Sequence, residues 1–301
     1  MRTLQTRHRT LAFPRRPLVM GIVNLNDDSF SGDGRIDCDW ALQRCRELIH
    51  DGADILDIGA ESARTNRAAI SETEEIRRLT PFLKQFHAAI RDTLPADDAQ
   101  VFPPLLSINT WRPAVAEAAL AITGDILNDM SGLSTPENAL LCARHNAALL
   151  IMHTQGPPKI AHTHVTYTDV VAEVIAFFKN RIALARASGL SERSILLDPG
   201  IDFAKQRADN LAIYRHLEHI VALGFPVLLP VSRKSVIGAV LDLPDPSSRD
   251  AGTIACVVSG ARHGAAIFRV HNVRATRQAL LLLDAVKTGS PASKNLHVQP
   301  P

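Results

Sequence analysis

Clustered cysteine is the first thing missing. The four cysteines, Cys38, Cys45, Cys142 and Cys256, are scattered and form no CxxC pair. That excludes a disulfide framework or a zinc ribbon and leaves reduced, mostly packing thiols in a cytosolic protein. Surplus charge is missing too, with 33 Lys plus Arg against 31 Asp plus Glu. Such a balance gives no basic field for a nucleic acid, while leaving room for a local anion site. No apolar run reaches the length of a membrane span, which speaks against a membrane partner. The Arg-rich start, MRTLQTRHRTLAFPRRP, has no apolar core before a small-residue cleavage site. Residues 1–17 therefore read as a flexible basic N-terminal extension, with a transit peptide as the rival. Also absent are the GxxxxGK[ST] loop, the GxSxG elbow and the GxGxxG fingerprint. Their absence argues against an NTPase, a serine hydrolase and a Rossmann dehydrogenase.

What is present is a repeating unit. Leu18 to Asn24 is an apolar run that stops at an Asn before a loop crowded with Asn, Asp, Ser and Gly, and seven later segments repeat the arrangement. They end at Asp57, Asn109, Asn128 with Asp129, His153, Asp198, Ser232 and His271. Helical patterns lie between them. One is capped by Asp39, one opens on a capping box of Ser71 and Glu74, and others begin near Pro113, Tyr167, Asn210, Ser248 and Val273. In GADILD and GDILND a Gly stops a helix just before a strand, the short connection of a βαβ unit. Eight strands and eight helices over about 270 residues predict a single-domain (β/α)8 TIM barrel. The barrel would span 18–287 and be followed by a disordered tail over 288–301. A doubly wound open sheet, the rival, would need fewer strands and a switch point.

The strand ends carry the chemistry. Converging amides and carboxylates at Asn109, Asn128 and Asp198 offer donors and acceptors suited to the edge of a flat heterocycle. Cations gather in the SRKS and RVH segments at Arg233, Lys234, Arg269 and His271, with Arg64 reaching in from the second loop. The loops after the last two barrel strands often bind phosphate, so a diphosphate is expected there. A Mg²⁺ ion held mainly by diphosphate oxygens and by Asn24 fits the way this ion is usually bound. His162 and His164 lack the carboxylate or thiolate company of a metal site and read as loop residues.

Taken in order, MGIVN with DSFS, DIG-ES-R, NDMSG, MH-QG-PK, LDPGI-F-K, SRKS-IG and RVH span Leu18 to Val273. Together they resemble the dihydropteroate synthase family, which joins a pterin diphosphate to p-aminobenzoate and releases diphosphate. The resemblance implies that Asn109, Asn128, Asp198 and Lys234 hold the pterin, and that Asn24, Arg64, Arg269 and His271 meet the diphosphate. It places Ser62, Phe203 and Ser232 at the arylamine, Mg²⁺ at Asn24, and the catalytic work on Lys234, Asp198 and Arg269. A homodimer through outer helices is implied as well.

The chain departs from that pattern at several points. Asn26 and Asp27 stand where Thr-Pro is usual, Asn109 where Asp is, Ala63 and Thr65 where the second loop has Thr and Pro, Asp202 where a Gly precedes the Phe, and Asn272 where Asp follows the His. Several of these changes fall in the loops that would meet the arylamine. Two alternatives follow: the same chemistry on a larger arylamine of the methanopterin type, or a pterin-binding paralogue without turnover. The pterin-gripping domain of corrinoid methyltransferases is a further relative, but it has no need of the SRKS and RVH cations.

Overall fold

The computed structural model describes residues 2–26, 35–62, 68–160 and 165–289. A β-hairpin comes first, β1 (Arg2–Gln5) paired antiparallel with β2 (Thr10–Phe13). Eight strands follow: β3 (Leu18–Asn24), β4 (Ile55–Gly59), β5 (Leu105–Asn109), β6 (Ile126–Asp129), β7 (Ala148–Met152), β8 (Ile195–Asp198), β9 (Leu228–Leu229) and β10 (Ile267–Val270). All eight are parallel, in the spatial order β8-β7-β6-β5-β4-β3-β10-β9. A parallel bridge from Leu197 to Val227 joins the two ends and closes the barrel.

The surrounding helices are α1 (Cys38–His50), α2 (Glu72–Ile90), α3 (Pro113–Ile122), α4 (Glu137–His145), α5 (Val170–Ala187), α6 (Arg207–Arg215), α7 (Leu217–Val221), α8 (Ser235–Leu241), α9 (Asp250–Arg262) and α10 (Val273–Thr288). The expected eight helical units are there, and two of them are split, into α6 with α7 and α8 with α9. The cap of α1 is Asp37 rather than Asp39, since its carboxylate accepts from the Trp40 N–H at 3.1 Å. At α2, Ser71 accepts from the Glu74 N–H as expected, while the Glu74 carboxylate turns to Arg77 and Arg78. Gly52, after α1, has φ of 102°, and a Cβ there would press on the Arg277 side chain. Only glycine makes that turn into β4 without strain.

Strand alternation sorts the side chains into two shells. Leu56, Ile58, Leu106, Ile108, Leu127, Phe268 and Val270 face the helices in one large apolar cluster. Their neighbours Leu18, Met20, Ile55, Leu105, Ile126, Ala148, Leu196, Leu228 and Ile267 fill the lower barrel interior in a second cluster. That second cluster also contains Leu4, Leu11 and Phe13 of the hairpin. Residues 2–13 are therefore no flexible extension: they plug the amino-terminal end of the barrel. Thr6 Oγ1 donates to Asp125 Oδ1 at 3.4 Å and Arg7 to the Leu120 carbonyl at 2.9 Å, which fixes the plug from the side. Composition hid this, because basic residues dominate the segment while its apolar residues are few and well placed.

Leu4 is fully buried. Leu4→Ala is therefore expected to cost about 2–5 kcal/mol of stability, read from the denaturation midpoint, and to leave the Michaelis constants of the enzyme unchanged. A loss below roughly 0.5 kcal/mol, the range of an ordinary surface change, would contradict the plug.

Candidate active site

Above the apolar layer, the same inward-facing positions turn polar. In register, Asp57 of β4 lies beside Ser107 of β5, and Asn109 of β5 beside Asn128 of β6. Asp57 is fully buried and is the hub of the array. Its carboxylate accepts from Ser107 Oγ at 2.6 Å, Asn109 Nδ2 at 3.3 Å, Asn128 Nδ2 at 3.3 Å and Arg269 Nε at 2.7 Å. The strand was expected to end at Asp57. It runs on to Gly59, and that extension seats Asp57 inside the barrel rather than at its rim.

Asn109 donates to Asp57, a bond that an ionised Asp could not make at that position. Its Oδ1 is buried and has no partner, so it presents a bare acceptor.

Asp198 closes β8 and is buried. Desolvation pushes its pKa up to about 6, against the pull of the Gly200 N–H at 2.7 Å and of the charges on Lys234, Lys205 and Arg269. Lys234 donates to the Ile201 carbonyl at 2.9 Å and lies over the Phe203 ring at 4.8 Å. Burial lowers its pKa. Ser232 Oγ accepts from the His271 N–H at 3.2 Å and lies 2.9 Å from its Nδ1. Two residues expected at different substrates are thus in contact. Asn24 ends β3 at the same rim. Arg64, Ala63, Thr65, Asp27, the DSFS segment, His162 and His164 lie outside the described residues.

Some polar strand-end residues turn away from the mouth. Asp129 follows Asn128 directly, so it points to the opposite face. Its carboxylate is taken up by Ser131 and Asn138. Arg233 forms a two-bond pair with Asp250 at 2.8 and 3.2 Å, and Asn272 joins the same carboxylate at 3.0 Å. Both serve the scaffold, so among the described residues the cations predicted for the SRKS and RVH segments reduce at the mouth to Lys234 and Arg269, with the His271 ring beside them.

Known proteins of the same make-up decide the family. Pterin binding enzyme is the family that matches, over residues 20–271. The dihydropteroate synthase of Bacillus subtilis (strain 168) is 36% identical over 285 residues, which is 94% of this chain and 93% of that one. Among solved structures, dihydropteroate synthase from Thermus thermophilus in complex with 4-aminobenzoate is 38% identical with a TM-score of 0.81, covering 95% of this chain and 100% of that chain. The same enzyme in complex with 6HMPPP gives 36% identity, a TM-score of 0.78 and the same coverage. The chain belongs to the dihydropteroate synthase family.

Sequence reasoning missed several residues of this family member's site. Lys205, the last residue of the LDPGI-F-K motif, lies 2.8 Å from His153 Nδ1 and donates to the carbonyls of Gly200 and Phe203 at 3.0 Å each. Burial lowers its pKa to about 7, and burial with the nearby ammonium lowers that of His153 to about 3. A donor at Nδ1 leaves the imidazole proton on Nε2. Lys205 thereby ties the end of β7 to the loop that carries Asp198 and Phe203. Gly200 belongs to the same knot, with φ of 67°, and a Cβ there would collide with the His153 carbonyl.

The flanks of the second loop, Glu61 with Ser62 and Ala68, are held in a comparable way. Lys159 donates to the carbonyls of Ser62 at 3.0 Å and Ala68 at 3.3 Å, and it pairs with Glu61 at 3.4 Å. Glu61 in turn shares Arg112 with Glu75 at 2.6 Å each. The motifs contained Lys205 and Lys159 by name. Nothing in their spacing showed which carbonyls they would reach.

Proposed function

We infer that the chain condenses 6-hydroxymethyl-7,8-dihydropterin diphosphate with p-aminobenzoate and releases diphosphate. The observation that carries this is the buried array around Asp57 and Asp198 at one mouth of the barrel, whose lining alternates donor, acceptor and cation. The bare Oδ1 of Asn109 and the carboxylate of Asp198 accept from ring N–H and NH₂ groups. Lys234 and the Asn128 side chain complete the pterin edge. At the pterin methyl carbon the C–O bond to diphosphate breaks, a C–N bond to the arylamine forms, and the amine gives up a proton. Arg269 and His271 meet the charge that builds on the leaving diphosphate, with Arg64 from the second loop. Asp198 offsets the positive charge that grows on the ring. Phe203, Ser232 and Ser62 border the arylamine. The structures of relatives bound to 4-aminobenzoate and to 6HMPPP support the choice of both substrates.

Mg²⁺ fits this reading as an ion carried in by the substrate. Among the described residues no group of three His, Cys, Asp or Glu is placed to hold a metal, while Asn24 offers one neutral oxygen at the rim, the modest protein share that this ion takes when phosphates supply the rest. When bound, it neutralises charge on the diphosphate.

We also assign a homodimer and a cytoplasmic location. Exposed Leu282 and Val286 on the outer face of α10 suit a helix-to-helix contact. No helix among the described residues is long and apolar enough to cross a membrane.

The test is direct. Purified protein with Mg²⁺ and both substrates is expected to release diphosphate and to form dihydropteroate in equal amounts. Release without adduct, or none above background, would overturn the assignment.

A further inference from the structure

We propose that Asp202 is a positioning residue that sets the arylamine side of the site by clamping the loop after β8 onto the first turn of α8. The proposal rests on the function inferred above for its kinetic consequence, and on geometry alone for the clamp.

Asp202 has φ of 68°, a left-handed conformation that an Asp tolerates better than most residues. In that conformation its carboxylate reaches α8. Oδ2 accepts from the Ser235 N–H at 2.5 Å and Oδ1 from the Val236 N–H at 3.3 Å. Both are first-turn donors that no backbone carbonyl of the helix can satisfy. Lys234, the residue before that turn, gives α8 no side-chain cap of its own, so the cap comes from 33 residues away.

Asn210 holds the clamp from the other side. Its Oδ1 accepts from the Asp202 N–H at 2.8 Å, and its Nδ2 donates to Asp202 Oδ1 at 3.2 Å. Asn210 is buried, so the pair is fixed.

The two segments joined in this way bear Phe203, placed at the arylamine, and Lys234, placed at the pterin with its ammonium over the Phe203 ring. Phe203 follows Asp202 directly, and Lys234 precedes Ser235. Between them run the bond from Lys234 to the Ile201 carbonyl and the contact of its ammonium with the Phe203 ring. Two flexible loops that moved independently would let that ring and that ammonium part. With Asp202 in place they move as one body. Of the pterin readers, Asn109, Asn128 and Asp198 are fixed by strand pairing in β5, β6 and β8 and only Lys234 lies in the clamp, whereas Phe203 sits in the clamped loop itself, so loss of the clamp falls mainly on the arylamine.

Asp202→Gly is the variant to make, because glycine adopts the same backbone conformation without strain and removes only the carboxylate. Asp202→Asn keeps a residue type at home in that conformation and one of the two acceptor oxygens, and turns an NH₂ toward the donors of the other. Steady-state kinetics are expected to show the Michaelis constant for p-aminobenzoate raised about 5- to 20-fold in Asp202→Gly, that for the pterin diphosphate raised by a clearly smaller factor, and Asp202→Asn between Asp202→Gly and wild type. Hydrogen exchange of the Ser235 and Val236 amides is expected to quicken about tenfold in Asp202→Gly, and in Asp202→Asn only for the one amide left without an acceptor oxygen. Equal shifts for both substrates, or no shift for either, would overturn the proposal. If the wild-type protein turned over neither substrate, the inferred function would fall, and the exchange arm would still decide: unchanged protection of Ser235 and Val236 in Asp202→Gly means that there is no clamp.

Discussion

Asp57→Ala is expected to cost both activity and stability, with kcat/KM for diphosphate release falling about 10³-fold or more, beyond the 10²–10³ typical of losing a single preorganised donor. Four side chains from three other strands converge on this one carboxylate: Ser107, Asn109, Asn128 and Arg269. Removing it leaves the Arg269 guanidinium without its counter-charge and frees two amides to rotate. The pterin edge then meets a disordered wall. On the stability side, a buried ion pair stripped of one partner typically costs about 3–5 kcal/mol. Asp57→Asn separates the two effects, since it keeps the volume and loses the charge. Arg269 should then detach while the core remains filled, so stability recovers in part and activity does not. The comparison needs only urea midpoints and an assay of released diphosphate. Activity of Asp57→Ala within tenfold of wild type would remove Asp57 from the centre of the site.

The second large effect concerns Asp198 and has opposite signs for activity and stability. Its pKa is raised to about 6 by burial. A carboxyl raised above its unfolded value favours the folded state while protonated. That advantage is complete below the ordinary carboxylate range near pH 4 and is lost as pH rises through about 6. At pH 8 the ionised group burdens the fold by on the order of 3 kcal/mol. Asp198→Asn retains an acceptor for the Gly200 N–H and drops the charge. It is expected to unfold at a higher temperature than wild type at pH 8, with the difference vanishing toward pH 4.

The same substitution is expected to remove about 10³-fold or more of kcat/KM, because the ring then has no anion facing it. For wild type, kcat/KM should fall on the acid side with an apparent pKa near 6, as the free enzyme's carboxylate is protonated. A thermal shift series over pH, paired with the rate profile, tests both. A lowered melting temperature for Asp198→Asn at pH 8 would refute the assignment of strain to this charge.

Much of this site could be read from the chain before any fold was known, because a β-strand converts alternation into direction. Leu105, Ser107 and Asn109 fall on one face of β5, and Leu106 and Ile108 on the other, so an inward-facing Asn109 follows from counting. The same count places Asn128 inward and Asp129 outward, which the simple notion of a polar strand end had run together.

Other features required tertiary contacts. Only Leu228 and Leu229 form β9, because Pro226 and Pro230 bracket the pair and proline has no N–H to give a ladder. The apolar PVLLPVS run does not reveal so short a strand. Arg233 reads as one more phosphate ligand until Asp250 is seen opposite it. Lys205 lies seven residues beyond Asp198, and its role depends on a loop returning to His153, a meeting that local pattern does not specify. The hairpin was not legible as one: Leu11 and Phe13 alternate in burial as a half-buried strand does, but the pattern is too short to stand out in a basic segment. Its target, the underside of the barrel, was not legible either.

That underside has a further consequence for traffic through the molecule. With Leu4, Leu11 and Phe13 packed into the lower layer, the barrel has one door. The buried Asn109 and Asn128 lie further from it than the half-exposed Phe203 and Ser62. With the substrates placed as proposed, a pterin passes the arylamine position on its way in, and an arylamine already seated there obstructs its entry. Queueing of this kind favours loading the pterin first, and departure of the joined product is what reopens the site.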